Sequence, residues 1–248
     1  MQIVARAVFR PLLDEPAIQR VTYLKEDLHL THRRLSDREA EMTALSGANG
    51  APPTTLHFPE TPLRLEKCLI RRYRASDAEA VAQEANNPKI ARWMSNAWPE
   101  PYTVEAAKDW IIRANSTPSP LDFVVCRLED DVPIGGAGVN IREDLDQNTR
   151  LIGYWIGERH WGHGIATEVA ASLAQWAFER SVELKCIMAE VYGGNDSSCR
   201  VLEKAGFVFQ ERKKNAAKKG DLDIDLLVYC KPRSEHGVKT RPNKRDVV

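Results

Sequence analysis

The chain has 248 residues, 43% of them hydrophobic and 28% charged, and its 35 Lys and Arg cancel its 35 Asp and Glu. Without net charge it has no overall field with which to hold a phosphate backbone or an anionic lipid surface, so no nucleic-acid partner is expected. No stretch approaches the ~18 to 20 consecutive apolar residues of a membrane-spanning helix, so no membrane partner is expected either.

In chain order, Ile18, Val21, Leu28, Leu35 and Met42 keep a 3,4 spacing, but Lys25, His32 and Glu39 interrupt the seam. Residues 1–46 therefore read as an N-terminal extension, partly helical or disordered. Gly47, Gly50, Pro52, Pro53, Pro59 and Pro62 make 47–62 a linker, because neither a helix nor a central strand tolerates that composition. The folded domain is expected over 63–232. It begins with a strand near Lys67 to Arg72, then a helix opened by the Ser76/Glu79 capping box and running to about Ala85. Asn87-Pro88 starts another helix. Thr103 caps a third, whose Ala107, Trp110, Ile111 and Ala114 share one face, and Pro118 and Pro120 close it. Leu121 to Leu128, Pro133 to Ile141 and Leu151 to Gly157 read as an antiparallel meander with acidic turns at 129–131 and 143–146.

The period then changes. Ala166, Val169, Ala170, Leu173, Trp176 and Ala177 mark a helix that follows Gly162-His163-Gly164. A strand, Lys185 to Val191, comes next and should lie parallel to the one before the helix. A short helix over 197–204, stopped by Gly206, and strands at 207–212 and 222–229 complete the domain. The 233–248 tail is basic, lacks an apolar period and reads as flexible.

Cys68, Cys126, Cys186, Cys199 and Cys230 are odd in number, widely spaced and without a C-x-x-C pair, a pattern that fits a reducing compartment. His29 with His32 and His160 with His163 lack a second ligand pair at zinc spacing, so no metal is expected. Arg6 and Arg10 without a neighbouring acid have the flavour of a presequence, but the segment is poor in Ser and runs into Asp14 and Glu15, and a cytoplasmic location is expected.

The most informative segment is Tyr154-Trp155-Ile156-Gly157-Glu158-Arg159-His160-Trp161-Gly162-His163-Gly164-Ile165-Ala166-Thr167, a strand passing through a glycine-bearing turn into a helix. Gly162 and Gly164 leave room for close approach, and the first turn of the helix offers unpaired N–H groups and the positive end of its dipole. A phosphate fits such a turn. So does the plainer reading of a tight turn whose glycines permit unusual dihedrals. A second segment, Asn195-x-x-Ser198-x-Arg200-Val201-Leu202-Glu203-Lys204-x-Gly206-Phe207, follows the next strand.

Together the two segments resemble the GNAT superfamily of acetyltransferases, and within it the ribosomal-protein N-acetyltransferase branch. Asn87-Pro88 before Ala91-Arg92-Trp93-Met94, Pro101-Tyr102-Thr103, Trp110-Ile111 and Ile134-Gly135 are similar to that branch as well, so the likeness covers about Leu63 to Pro232. The resemblance implies an α/β (α+β) fold, a mixed central sheet with helices on both faces and splayed central strands. Acetyl-CoA would enter the opening as co-substrate, its pantetheine arm pairing with backbone groups of Tyr154, Trp155 and Ile156. Its pyrophosphate would rest on Arg159, Gly162, His163, Gly164, Ile165, Ala166 and Thr167. A bulky anion at Gly164 should then repel the carrier.

For the chemistry, the resemblance implies direct attack of an amine on the thioester, with N–H groups near Ile156 facing the oxyanion. The Tyr that family members often place in the short helix as the acid is Leu202 here, and Ser198 is the substitute. A hydroxyl turned back onto its own helix is the alternative. The carboxylate that many members carry before the Gly-Tyr pair is Leu151, which leaves Glu158, then Glu190, as base. Asn195 would hold pantetheine or the substrate amide, or cap its helix. Trp93, Met94, Trp98 and Tyr102 are candidates for the acceptor wall, and Asp225 for attracting a cationic amine, while Asp221 and Asp223 read as a solvated face balanced by Lys213, Lys214, Lys218 and Lys219. The expected activity is acetyl transfer from acetyl-CoA to a primary amine, a peptide N-terminus or a small molecule, by a monomer or homodimer. A non-catalytic acyl-CoA-binding module is the alternative.

Overall fold

The computed structural model describes residues 4–5, 63–116, 121–141 and 145–233. The helix expected over Ile18 to Met42, the 47–62 linker, Pro118 and Pro120, residues 143–144 of the second acidic turn and the tail from 234 lie outside the described residues. The strands are β1 (Val4–Ala5), β2 (Leu63–Arg64), β3 (Leu69–Arg71), β4 (Asp122–Cys126), β5 (Pro133–Asn140), β6 (Thr149–Ile156), β7 (Cys186–Tyr192), β8 (Val208–Lys219) and β9 (Leu222–Pro232). The helices are α1 (Ala78–Ala85), α2 (Pro88–Ala91), α3 (Val104–Ala114), α4 (Ile165–Arg180) and α5 (Asp196–Lys204).

These strands form one mixed sheet in the order β2-β3-β4-β5-β6-β7-β9-β8, with β1 added on β6. The β4–β5–β6 meander is antiparallel and β6 runs parallel to β7, as the sequence predicts. Ile152, Tyr154 and Ile156 of β6 share a buried cluster with Ala166, Val169, Ala170 and Leu173 of α4 and with Val201 and Leu202 of α5. Trp155, between them, turns to the other face and packs edge-on against Trp98, at 5.6 Å between ring centroids, in the loop that joins α2 to α3. Helices thus cover both faces, and the alternation along β6 sorts its side chains between them.

Local chemistry explains the element ends. Asn87 Oδ1 accepts from Lys89 N at 2.9 Å to start α2, and Thr103 Oγ1 accepts from Ala106 N at 3.2 Å to start α3. The Ser76/Glu79 box expected at α1 is not what opens it. A 3-10 turn, Ala75–Asp77, leads in, and buried Asp77 accepts from Arg74 N at 2.7 Å and from the Arg71 guanidinium at 2.8 and 2.9 Å. Arg71 also donates to Asp131 at 2.6 Å, so a buried charge network outcompetes the surface box.

Two further differences are physical. β8 runs to Lys219 rather than stopping at Arg212, with register shifts at Phe209/Glu211 and Lys213/Ala217. Most of this edge strand is exposed on both faces, so it carries no period-2 pattern to read. Cys186 and Cys230, 44 residues apart, lie within disulfide distance across β7 and β9, with Cα atoms 6.3 Å apart, a pairing that sequence spacing did not disclose.

The arrangement at the centre of the sheet positions the site. β6 and β7 pair only at Thr149↔Cys186, Arg150↔Ile187 and Leu151↔Met188, and beyond Leu151 no further residue pairs join them. Into the space beside Tyr154 and Trp155 comes β1, pairing antiparallel as Ala5↔Tyr154 and Val4↔Trp155. The sequence did not foresee a strand in the N-terminal extension.

Candidate active site

Gly157 N donates to Ile134 O of the β5 side at 2.8 Å. Backbone groups alternate sides along a strand, so the N–H and C=O of Tyr154 and Ile156 face the opposite edge, toward the gap. One of these groups is engaged by a side chain, since Trp161 Nε1 donates to Ile156 O at 2.6 Å. Tyr154 and Ile156 thus present a strand edge to the gap, and β1 lies along part of it.

Beyond β6 the chain makes a 3-10 turn, Glu158–His160, and enters α4 through Gly162 and Gly164 at φ +85° and +79°. Both angles lie in the left-handed region that glycine adopts without strain. A Cβ at Gly162 would meet nothing within 4 Å, so this side of the turn is open. Among the described residues no backbone carbonyl accepts from the N–H of Gly162, His163 or Gly164, and the first turn of α4 leaves the N–H of Ile165, Ala166 and Thr167 without helical partners. Arg159 is directed elsewhere: its guanidinium pairs with the buried carboxylate of Glu84, which also lies 3.5 Å from His160 Nε2. Glu84 braces the turn from α1, a role that its place in an ordinary amphipathic helix gave no signal of. Lys67 was missed as well. Its Nζ would lie 2.8 Å from a Cβ at Gly164, and the backbone there is held by Glu168, whose carboxylate accepts from Glu66 N at 2.8 Å and Lys67 N at 3.0 Å.

The carboxyl ends of β6 and β7 open on a cavity of about 350 Å³ lined by Lys89, Trp93, Glu158, Trp161, Gly194, Asn195, Asp196, Ser197 and Arg200. Parallel strands that part at their carboxyl ends are where ligands enter open α/β sheets. Glu158 and Asn195, 37 positions apart in the chain, so meet at one cavity. Asn195 is 2% exposed, and its Oδ1 accepts from Ser198 N at 3.3 Å, which makes it the cap of α5. Ser198 is completely buried in the first turn of that helix. Glu158 accepts from Asn87 Nδ2 at 2.8 Å and pairs with Lys89 Nζ; that pairing, with the Asn87 bond, holds its carboxyl below the usual carboxylate range. Glu190 on β7, the second candidate base, is buried at 2% exposed. Asp225 accepts from Arg212 Nε at 2.6 Å and Asn215 N at 2.8 Å, ties that lower its pKa and engage it within the β8–β9 hairpin rather than in the site. Among the described residues no cluster of His, Cys, Asp and Glu is arranged to hold a metal ion, and no helix is long and apolar enough to cross a membrane.

A second cavity, of about 340 Å³, is walled by Ala85 to Pro88, Ala91 and Trp98 to Tyr102. Trp98 packs against Tyr102 at 4.6 Å between centroids with the rings tilted by 45°, so two of the four expected acceptor-wall residues line this space, while Trp93 lines the first cavity and Met94 is buried core. The tip of the β8–β9 hairpin holds the wall in place. Lys219 Nζ donates to Ala91 O and Met94 O at 2.9 and 3.0 Å, and Gly220 N donates to Asn96 Oδ1 at 3.1 Å.

The chain is similar in sequence and in fold to known acetyltransferases. The uncharacterized N-acetyltransferase p20 of Bacillus licheniformis is 27% identical over 178 residues, 70% of this chain and 97% of that protein. The crystal structure of ribosomal-protein-S5-alanine acetyltransferase from Vibrio fischeri superposes with a TM-score of 0.59 at 22% identity, covering 69% of this chain and 96% of that one. The microcin C7 self-immunity acetyltransferase MccE, solved in complex with acetyl-CoA and AMP, superposes at 0.58 with 20% identity over 68% of this chain and 94% of its own. A family model described as an acetyltransferase (GNAT) domain matches residues 67–208, across the parted strands, the glycine turn and α5, and the chain belongs to the GNAT acetyltransferase family.

Proposed function

We propose that this chain moves an acetyl group from acetyl-CoA to a primary amine, of a peptide N-terminus or a small molecule, by direct attack. The observation that carries the reading is the parting of β6 from β7 after Leu151 beside a turn whose amides at 162–164 have no backbone acceptor among the described residues. A thioester carrier with a diphosphate suits both features, an extended arm along a strand edge and an anion on backbone donors. Tyr154 and Ile156, whose backbone groups face the gap on either side of Trp155, would hold the arm; Gly162, His163, Gly164, Ile165, Ala166 and Thr167 the diphosphate.

The amine nitrogen forms its bond to the thioester carbon while the C–S bond breaks with its electron pair on sulfur. The N–H of Ile156, directed at the gap, faces the oxygen that gathers charge. The Ser198 hydroxyl gives its proton to sulfur and takes one from the nitrogen, so the serine is regenerated and the carrier leaves as a free thiol. Asn195 holds the first turn of α5 and with it Ser198. Glu158, kept ionised by Lys89 and Asn87, is a weak base that draws a cationic amine toward the cavity rather than deprotonating it; the ammonium gives its extra proton to water there and attacks as the neutral amine. The enzyme unit is 63–232.

One observation favours a second reading, a non-catalytic acyl-CoA-binding module: β1 lies on the edge that the arm needs. Free-thiol release from acetyl-CoA, measured with amines and peptide N-termini as acceptors, separates the two. Amine-dependent release supports transfer; tight acetyl-CoA binding with no release under any acceptor leaves only the binding module.

A further inference from the structure

Tyr154 has a side chain that the acetyl-transfer reading leaves unused, since only its backbone faces the carrier. The residue is fully buried on the α4–α5 face of β6, and its hydroxyl makes no hydrogen bond among the described residues. The polar groups around that oxygen are the Ser198 hydroxyl, which lies beside it, then the Cys199 thiol and the Tyr229 phenol. A buried hydroxyl without a partner costs about 1 to 3 kcal/mol, whereas a phenyl ring fills the same space with no polar atom to satisfy. Packing therefore gives no reason for the oxygen.

We propose that Tyr154 is a positioning residue for Ser198, its phenol donating to Ser198 Oγ so that the serine proton points at the thioester sulfur. The inference rests on the acetyl-transfer reading. An accepted hydrogen bond from a fixed ring occupies one lone pair of the serine oxygen and so helps to set the direction of its proton. β6 supplies the fixed ring, because Tyr154 sits in the strand segment next to the gap and its ring is packed in the core. Burial raises the phenol's pKa well above its ordinary value, so Tyr154 stays protonated, donates and keeps its own proton while Ser198 shuttles one from nitrogen to sulfur. Catalytic hydrogen bonds are commonly long or misaligned in unliganded enzymes and tighten when substrate arrives, which fits two hydroxyls that are neighbours without full hydrogen-bond geometry.

The test is a double-mutant cycle on the full chain with acetyl-CoA and whichever amine the thiol assay identifies. Tyr154→Phe removes one oxygen that has no partner, so the variant should fold, with Tm unchanged or raised. Its kcat should fall about tenfold, the loss expected for one hydrogen bond that matters in the transition state, with the Kd for CoA within about twofold of wild type. Ser198→Ala should lose more, and the double variant should be no slower than Ser198→Ala alone, because the phenol acts only through the serine. Wild-type kcat in Tyr154→Phe, or losses that multiply in the double variant, overturns the proposal while leaving acetyl transfer intact. A Tyr154→Phe loss alongside full activity of Ser198→Ala also overturns it. A wild-type protein that releases no thiol with any acceptor sinks the transferase reading itself, and this role with it.

Discussion

Gly164 combines two constraints that decide what a substitution there reports. At φ +79° any other residue is strained, by about 1 to 2 kcal/mol, and a new side chain would also meet Lys67 Nζ. A glutamate at 164 therefore does more than repel a phosphate, since its carboxylate also has a lysine ammonium at hand. Comparing Gly164→Ala with Gly164→Glu separates the parts: both should lower Tm by the strain, and Gly164→Glu should lose at least ten times more CoA affinity in calorimetry. Equal affinities would remove the turn from the diphosphate site. Asp122 offers a cleaner electrostatic case. Burial pushes its pKa from 3.8 up to about 6, against the pull of the Asn140 amide, which donates to it at 3.2 Å. The native state therefore holds this proton more tightly than the unfolded chain. The stability it contributes is complete below about pH 4 and is lost as pH rises through about 6. Asp122→Asn keeps the acceptor oxygen and removes the charge, so its Tm advantage over wild type should be absent near pH 4 and full by pH 7; an advantage independent of pH would refute the assignment.

At the scale of elements, the β8–β9 hairpin links a sheet edge to the wall of the 340 Å³ cavity through Lys219. Burial lowers the pKa of this lysine, yet its two carbonyl partners at the end of α2 keep it engaged. Lys219→Met should cost about 1 to 3 kcal/mol by leaving those carbonyls unpaired. If the wall serves the acceptor, the KM for the amine should rise several-fold while the KM for acetyl-CoA stays put; an equal rise in both would assign the loop to the carrier instead. The same elements show what a single sequence discloses. α4 was legible because one face is apolar at helical spacing, and α5 because Gly206, at φ +86°, ends it. The glycine turn was legible because Gly162 and Gly164 need left-handed angles. Beyond Arg212, β8 was not, since a strand exposed on both faces has no alternation. Nor were Glu84 and Lys67, whose importance lies in what a distant element presents to them: Glu84 reaches Arg159 across 75 positions, and Lys67 is held by Glu168 across 101. Charge alone marks neither.

Over the whole molecule the parted strands pose a question of occupancy. Backbone groups on one strand edge can pair with a single partner at a time, and Tyr154 and Trp155 pair with Ala5 and Val4 of β1. Acetyl-CoA bound as proposed must displace that strand, so its apparent affinity is the intrinsic one reduced by the fraction of molecules in which β1 has left. β1 is two residues long, and each hydrogen bond it gains is worth about 0.5 to 1.5 kcal/mol net, so displacement is a modest barrier rather than a block. Removing residues 1–8 should therefore lower the KM for acetyl-CoA by about two- to tenfold, with kcat unchanged because bound carrier has already expelled the strand. A synthetic peptide of residues 1–8, added back to the shortened protein, should compete with acetyl-CoA and not with the amine. An unchanged KM would mean that β1 does not hold the edge in solution. A raised KM would mean that the strand builds the site instead of guarding it, and acetyl-CoA would then need a different edge from the one that Tyr154 and Ile156 present.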